Sequence, residues 1–482
     1  MKKFLTLILA VLMILSFVAC NNALSGDTNS ESNNTENNNG GESTDNGHTD
    51  SDDSNLNDEK PMCATHNYVN NICSVCNCSL WNGNIDTSWY SVVDTEFNIS
   101  TAEQFAGFAQ LVNNGTNFHD TTIELSVNID LNNKEWVPIG TANTPFAGVL
   151  NGAEHTISNL IITSVSSSNL TESFGLLGYS EGKIENVNVD NLKIDITLDN
   201  NIYVGGVVGY NSGTINNCHA NGAIAANTVS HGVFIGGVAG ENEGDIKNCS
   251  NKSDVSCEGS SIYMGGVVGR SWEIVSIEQC SSSGDISGIS SHNCYIGGIV
   301  GQIGNKKREK SVIKNCYSLG DISGSSEQKC FVGGLVGFLY NGSEIYNSYA
   351  FGNITGASLL KEHYVNFGGD SNNYAGGLVG YIDYAHFTRS LSVSNCWATS
   401  NIVLKTENGD GYAGFICGNY DEALFSNCYY SNEMLVETDH VVTFGTPANS
   451  NDFKNIAFYQ NKMTAWDSKI WNLIDKTYPT LK

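Results

Sequence analysis

Proline and positive charge are the scarcest features of this sequence. Only five of its 482 residues are proline, and none of them lies between positions 170 and 440. That region also contains no amphipathic run of helical length, so a helical fold is excluded there. Lys and Arg total 23 against 50 Asp and Glu, which gives a formal net charge of −27. Because nucleic-acid phosphates attract basic proteins, this charge argues against a nucleic-acid partner.

Familiar catalytic signatures are missing as well. The sequence contains no GxxxxGK[ST] phosphate loop, no His-Glu-x-x-His pair, and no Gly-x-Ser-x-Gly elbow accompanied by a triad. After the first 20 residues, no apolar stretch reaches the roughly 18 residues that a membrane-spanning helix needs. With these motifs absent, the many glycines are the next feature to explain.

A short glycine-rich pattern recurs eight times and organises the rest of the chain. Its first complete copy reads Tyr203-Val-Gly-Gly-Val-Val-Gly209; a weaker copy at Phe174–Gly178 precedes the series, and Tyr412–Gly418 closes it. The last Gly of each copy lies at 178, 209, 240, 269, 301, 337, 380 and 418, so the steps are 31, 31, 29, 32, 36, 43 and 38 residues. Self-similarity at this period indicates a solenoid or a propeller.

Two further segments follow the glycine pattern in most units. One ends in Asn-Cys, as in Ile215–Cys218, and the other resembles Gly284–Ile286. All three segments are short, β-branched and bounded by turn residues, which is typical of strands. Three short strands in about thirty residues fit one coil of a solenoid, whereas a propeller blade usually needs four strands in about forty. The predicted fold is therefore all-β, a parallel β-solenoid (β-helix) with one coil per repeat, and the Asn is expected in the left-handed conformation at a corner.

Stacked coils would turn equivalent positions into ladders. Cysteine recurs at one position and would lie within disulfide range of its neighbours, but Ser348 at the same position favours a reduced, packed ladder. The members are Cys218, Cys249, Cys280, Cys316, Cys396 and Cys428. A second series, Asp254, Asp285, Asp321 and Asn353, would either bind calcium or form a solvated corner, and the corner is the simpler interpretation.

The glycine pattern resembles the GLUG motif of bacterial cell-surface proteins. Gly333–Gly337 and Gly376–Gly380 both read Gly-Gly-Leu-Val-Gly, and the resemblance covers the chain from about Trp89 to its end. It implies a β-solenoid fold. It also implies a role in surface attachment, or as a non-catalytic part of a larger secreted enzyme.

The first 60 residues resemble an export signal followed by a tether. Residues 1–20 have a short basic head and an apolar run, and Phe17–Cys20 resembles a lipobox, so Cys20 is the expected lipidated residue. Residues 21–60 contain ten carboxylates and one Lys with almost nothing apolar, and they are expected to form a disordered acidic linker. The sequence thus predicts a lipid-anchored protein on the outer face of a bacterial membrane.

Residues 61–82 carry the constellation that suits a metal. Cys63 and His66 form one closely spaced pair, and Cys73 and Cys76 form another. Four such ligands suit tetrahedral zinc in a small ribbon-like element. Disulfides are the alternative in an exported protein, but a disulfide framework has no use for His66. Structural zinc is therefore expected, and a catalytic zinc is not, because four protein ligands leave no open position.

Both ends of the repeat region (171–440) are expected to be covered. In residues 89–170, Ser100-Thr-Ala-Glu103 predicts a capping box, and Phe105, Phe108 and Val112 then fall on one face of a helix that would cover the first coils. Asp130 is interpreted as a turn or ladder residue rather than a catalytic one. In residues 441–482, a cluster of large aromatics predicts a C-terminal cap over the last coil.

The sequence favours a non-enzymatic function. We expect a lipid-anchored solenoid that attaches to host or bacterial surface glycans or proteins. The alternative is a carbohydrate-active β-helix enzyme, a polysaccharide lyase or glycoside hydrolase, or else a non-catalytic glycan-binding module. Such an enzyme would need clustered carboxylates, or a carboxylate beside Arg or Lys, in one groove. Aromatics in the long insertions at 359–373 and 381–391 would either stack on sugar rings or pack back on the coil.

Overall fold

The structure, a computed structural model, describes residues 66–163, 172–304, 309–340, 343–358, 372–383, 391–407, 410–419 and 425–482. All of these belong to one compact unit, which spans 62–482. Four sheets run along a single solenoid, and they are parallel apart from the hairpin strands at Tyr68–Leu80. From Ser173 onward, complete coils pass through them in the same order, sheets 1 to 4. The predicted parallel β-solenoid is confirmed.

Sheets 1 and 2 both arise from the glycine pattern. Sheet 1 contains Ser173–Phe174, Ile202–Gly205, Gly232–Gly236, Ser261–Gly265, Asn293–Gly297, Lys329–Gly333, Asn373–Gly376, Gly411–Gly414 and His440–Val442. Sheet 2 contains Leu177–Ser180, Val208–Asn211, Ala239–Asn242, Val268–Ser271, Val300–Ile303, Val336–Tyr340 and Val379–Asp383. The sequence predicted three strands per coil; the structure has four sheets, because the paired glycines bend the pattern into two strands.

Sheets 3 and 4 arise from the other two segments. Sheet 3 contains Glu96–Ile99, Thr122–Leu125, Val149–Asn151, Lys183–Glu185, Thr214–Asn216, Ile246–Lys247, Ser276–Glu278, Ser311–Lys314, Ser343–Tyr346, Ser392–Ser394 and Phe425–Ser426. In sheet 4, most coils contribute two strand pieces. It contains Tyr68–Val69, Ile72–Cys73, Ser79–Leu80, Ile129–Asp130, Thr156–Ser158, Ile161–Ile162, Asn188–Thr197, His219–Asn227, Ser250–Asn251, Asp254–Gly259, Ser281–Ser282, Ile286–Ser290, Tyr317–Ser318, Ile322–Ser326, Tyr349–Ala350, Ile354–Ser358, Trp397–Ala398, Ile402–Thr406, Tyr429–Ser431, Val436–Glu437 and Thr446–Ala448.

The register places equivalent positions of successive repeats directly beside one another. Ile215 pairs with Ile246, and Ile246 pairs with Ile277, so one inward row of isoleucines runs through sheet 3. Sheets 1 and 2 supply further inward rows of Val, Ile and Leu, which are almost fully buried. The hydrophobic core is therefore a continuous column inside the coils.

The corner between sheets 3 and 4 is made by the residue that precedes the recurrent Cys. In eight coils, from Asn186 to Asn427, this residue has a positive φ between 51° and 55°. Asn191 also has a positive φ, but it lies within sheet 4 and is not a corner residue. The members are Asn186, Asn217, Asn248, Gln279, Asn315, Asn347, Asn395 and Asn427. This confirms the predicted left-handed corner, and Asn suits it because its short polar side chain tolerates that conformation.

The N-terminal helix, α1 (Ala102–Asn113), connects two adjacent strands of sheet 3, Glu96–Ile99 and Thr122–Leu125. Its buried face includes Phe105, Phe108 and Val112, as predicted. The N-cap of this helix is Thr101, one residue later than the sequence analysis placed it. Thr101 Oγ1 accepts from the N–H of Gln104, while Gln104 Oε1 accepts from the N–H of Ser100. The prediction that Ser100 and Glu103 cap the helix was wrong. Thr101 and Gln104, one residue further on, also carry a hydroxyl and a side-chain carbonyl at the spacing that helix capping needs.

The C-terminal segment packs along the side of the solenoid. It contains a short helix, α2 (Ile456–Asn461), and an antiparallel pair, Trp471–Asn472 with Thr480–Leu481. Its aromatic side chains form a separate cluster with Tyr349 and Trp397 on the outside of sheet 4. The sequence predicted a cap over the last coil, whereas these contacts extend over several coils, from Tyr317 to Tyr429.

Candidate functional site

Two rows of side chains project outward where sheet 1 turns into sheet 2, and we call them together the aromatic face. Row 1, on sheet 1, consists of Tyr203, Phe234, Tyr263, Tyr295, Phe331, Tyr374, Tyr412 and His440. Row 2, on sheet 2, consists of Tyr179, Tyr210, Glu241, Arg270, Gln302, Phe338 and Tyr381. The inward neighbours of row 1, such as Val204 and Met264, are fully buried, so strand alternation directs row 1 outward. On this outer side Phe234, Phe331 and Tyr374 are still buried, and the other tyrosines of the row are partly exposed.

The rings of the aromatic face stack along the solenoid axis. Phe234 and Tyr263 have ring centroids 4.8 Å apart, and Tyr263 and Tyr295 have centroids 4.9 Å apart. The two rows also touch, since the centroids of Tyr374 and Tyr381 are 4.6 Å apart. Stacking covers the ring faces, so the partly exposed tyrosines present mainly ring edges and phenol groups to solvent. The face therefore offers apolar contact together with hydrogen-bond donors.

An ion pair interrupts row 2 at its centre. Arg270 Nε donates to both carboxylate oxygens of Glu241, at 3.0 and 2.8 Å. The guanidinium also lies over the ring of Phe234, 4.1 Å from its centroid. Glu241 is only 2% exposed. Burial raises the pKa of Glu241 to about 7, although Arg270 acts in the opposite direction.

A second carboxylate lies close to this ion pair. Tyr210 donates from its hydroxyl to Glu243 at 2.6 Å, and Glu243 contributes a repulsive charge near Glu241. Burial, followed by this hydrogen bond, raises the pKa of Tyr210. Sequence reasoning missed this polar cluster. Its signal was a Glu and an Arg at the same position of consecutive repeats, where the two preceding repeats have Tyr179 and Tyr210.

The Cys/His element precedes the first coil as a small hairpin. Tyr68–Val69 and Ile72–Cys73 pair antiparallel through a turn at Asn70 and Asn71, both of which have positive φ. Asn-rich turns of this type match the twist of paired strands. His66, Cys73 and Cys76 come together, with their ligand atoms all within 4.8 Å of one another. Cys63 lies outside the described residues, as does Cys20.

The surroundings of Cys73 favour a thiolate. Burial acts to raise the pKa of Cys73, but backbone N–H groups of Cys76 and Val75 and the ring of His66 outweigh it and lower the pKa to about 5. Cys78 differs, because burial raises its pKa to about 12. The donor set and its spacing fit zinc, with Cys63 as the fourth candidate ligand.

The element is joined to the solenoid by several contacts. Its third strand, Ser79–Leu80, pairs in parallel with Ile129–Asp130 and so extends sheet 4. Tyr68 donates a hydrogen bond to Asp130 at 2.9 Å. Asp130 also accepts from the side chain of Asn159, so it is a ladder residue as interpreted from the sequence.

The side chains of the cysteine and aspartate ladders make hydrogen bonds to the backbone. The thiol of Cys249 donates to the carbonyl oxygen of Lys247 at 3.1 Å, and the hydroxyl of Ser348 bonds the carbonyl of Tyr346 in the same way. This explains why Ser replaces Cys in one coil. The carboxylate of Asp254 accepts from the N–H of Asp285, and that of Asp285 accepts from the N–H of Asp321. These carboxylates thus serve as links between coils.

Two other expectations concern the long insertions and membrane-spanning helices. Residues 359–371 and 384–390, which make up most of the long insertions, lie outside the described residues. The expectation about the aromatic side chains in these two segments therefore stays a prediction. Among the described residues, no helix is long and apolar enough to cross a membrane.

The sequence and the structure were compared with known proteins. No curated protein matches the sequence. Among solved structures, a candidate immunoglobulin A1 protease from Bacteroides ovatus is similar at 17% identity, with 75% of this chain and 86% of that chain covered and a TM-score of 0.34. A structure named IgA1 protease is similar at 15% identity, with 80% of this chain but 25% of that chain covered and a TM-score of 0.38. The profile of the GLUG motif matches residues 200–225, 292–323 and 332–355, so this chain carries GLUG-motif repeats.

Proposed function

We propose that this protein is a non-enzymatic, lipid-anchored surface protein whose solenoid binds a glycan or a protein on another surface. The observation that carries the proposal is the aromatic face. It runs through consecutive coils from Tyr179 to His440, and its rings are held rigidly by stacking. Tyrosine provides large contact area at low entropic cost, and Tyr203, Tyr263, Tyr295 and Tyr412 are partly exposed on this face.

The placement outside the cell rests on the sequence. The apolar leader and Cys20 support export and lipidation, and the acidic linker at 21–60 would hold the solenoid away from the membrane. A zinc ion held by Cys63, His66, Cys73 and Cys76 would stabilise the small element between linker and solenoid. Bound zinc would fix the hairpin in place, because so short a segment cannot form a hydrophobic core of its own.

Binding arrays test the proposed function. Purified protein is applied to arrays of host and bacterial glycans and of extracellular proteins, together with a Tyr203→Ala/Tyr263→Ala variant. We expect wild type to bind a defined set of targets and the variant to lose at least about tenfold in affinity, as for the loss of anchor residues in an interface. The control is Ile289→Ala, which changes an exposed side chain on sheet 4.

Two outcomes would contradict the proposal. One is that the protein binds no target on either array. The other is that the double variant, shown by circular dichroism to be folded, binds as well as wild type. Separate glycan and protein arrays also distinguish the two partner classes.

A second candidate function, a carbohydrate-active enzyme, is favoured by the Glu241–Arg270 pair. A carboxylate with a raised pKa beside a guanidinium is an arrangement that general acid–base chemistry uses. Against it, Glu241 is 2% exposed and both of its oxygens are bound by Arg270. Assays on a panel of polysaccharides decide the matter: turnover by wild type that Glu241→Gln abolishes would favour the enzyme, and absence of turnover would favour binding alone.

A further inference from the structure

Two cysteines outside the recurrent ladder face each other in adjacent coils. Cys294 lies in Asn293–Gly297 and Cys330 lies in Lys329–Gly333, two neighbouring strands of sheet 1. The parallel register pairs them directly. Both are completely buried. Earlier coils have Ile202, Val233 and Ile262 at this position, so the pair replaces two apolar side chains of an inward row.

The sulfur atoms of this pair approach each other more closely than any other thiol contact described in the chain. Cys294 Sγ and Cys330 Sγ are 2.6 Å apart. Directly paired residues in neighbouring strands have Cα atoms about 4.8 Å apart, which is inside the range of disulfide-bonded cysteines. Backbone register and side-chain direction thus both suit a covalent bond without a shift of either strand.

The recurrent ladder does not share this arrangement, although its members are also one coil apart. There each thiol is directed at a carbonyl oxygen of its own coil, as in Cys280 with Glu278 at 3.2 Å and Cys316 with Lys314 at 3.2 Å. The N–H of Cys280 also donates to Cys316 Sγ. Each of those thiols thus has a carbonyl partner within its own coil, which distinguishes the Cys294–Cys330 pair from the ladder.

We propose that Cys294 and Cys330 form an intramolecular disulfide that joins two successive coils. The two thiols lose two protons and two electrons as the sulfur–sulfur bond forms. A disulfide-bearing thiol oxidoreductase or a small-molecule disulfide accepts the electrons and protons and is reduced to thiols. Because both sulfurs are buried in the finished coil, the bond forms while the coils assemble. It closes a loop that includes one whole coil and residues 305–308.

Peptide mapping of the full chain tests the proposal. The protein is refolded with oxidised and reduced glutathione, denatured, alkylated without reductant and digested. We expect a cross-linked peptide that contains Cys294 and Cys330, while Cys249 and Cys280, the internal control pair, are recovered alkylated. Recovery of Cys294 and Cys330 as alkylated thiols in this sample would overturn the proposal.

Thermal unfolding provides a second measurement. Wild type should lose a few degrees of its unfolding midpoint when a strong reductant is added, because the cross-link restricts the unfolded chain. A Cys294→Val/Cys330→Val variant, which restores the apolar row, should fold and show no shift with reductant. An equal shift in the variant would overturn the assignment of the effect to this pair. Neither result depends on whether the aromatic face binds a partner.

Discussion

At the residue scale, the burial of Glu241 in the aromatic face makes stability depend on pH. Between about pH 4.5 and 7, folded Glu241 retains a proton that the unfolded chain has released. The unfolded state then binds fewer protons than the folded state, so the contribution of this group to stability falls as pH rises through that window. The cause is burial, which Arg270 offsets only in part.

We expect Glu241→Gln to remove this pH dependence. Relative to the variant, wild type should lose on the order of 3 kcal/mol of unfolding free energy between pH 4.5 and pH 7. Urea unfolding at several pH values measures the difference, with the exposed Glu258→Gln as control. Parallel curves for wild type and Glu241→Gln would contradict the shifted pKa.

The last glycine of each pattern is required by the distance between coils. A Cβ on Gly301 would lie 2.5 Å from the carbonyl oxygen of Gly269 and 2.5 Å from the nitrogen of Met264. Both are backbone atoms of the neighbouring coil, so they cannot move without breaking the ladder. Every repeat therefore keeps glycine at this position, whatever the other residues of its pattern are.

We predict that Gly301→Ala destabilises the solenoid by on the order of 3 kcal/mol, the upper range for overpacking. Gly232→Ala is the matched control, because its Cβ would meet only side-chain atoms at 3.1 Å or more and the next coil has Ser261 at this position. Denaturant midpoints compare the two variants. Equal midpoints would show that the coils can separate to accept a methyl group.

At the element scale, the Cys/His hairpin should depend on metal. Purified under reducing conditions, the protein is expected to carry about one zinc per chain, and Cys73→Ser/Cys76→Ser should carry none. Cys78→Ser is the control, since Cys78 is buried near Tyr68 rather than beside His66. Elemental analysis gives the stoichiometry. Absence of zinc from wild type, with Cys73 and Cys76 recovered as a disulfide, would refute this prediction.

The C-terminal segment should stabilise the side of sheet 4 through its aromatic cluster. Trp471 is completely buried against Tyr317, Tyr349 and Trp466. Trp471→Ala should cost about 3–5 kcal/mol, as for other buried tryptophans. Ile474→Ala is the control, because Ile474 is 62% exposed. An unchanged melting temperature for Trp471→Ala would mean that the segment packs too loosely to matter.

At the scale of the whole molecule, the anchor decides where the solenoid can act. Wild type expressed in a bacterium that lipidates exported proteins should partition into the detergent phase of a Triton X-114 extract. Cys20→Ser should move to the aqueous phase, because the thiol that carries the lipid is gone. Wild type in the aqueous phase would remove the lipid anchor from the proposed function.

The sequence by itself determined the coil. The repeat period, the glycine pair and the Asn before each Cys predicted stacked coils with a left-handed corner, because identical local chemistry recurs in every unit. It also predicted helix α1 and brought together His66, Cys73 and Cys76, since ligands so close in sequence have little freedom to separate.

Only the tertiary structure decided which distant residues meet. The division of the glycine pattern into two strands, the aromatic face, the Glu241–Arg270 pair and the Cys294–Cys330 contact all depend on register between coils. Residues about thirty positions apart become neighbours at about 4.8 Å only once the coils stack, and a shift of one residue would reverse which side chains face outward. The lateral position of the C-terminal segment follows from the same cause, because its aromatics bind a surface that exists only after several coils have assembled.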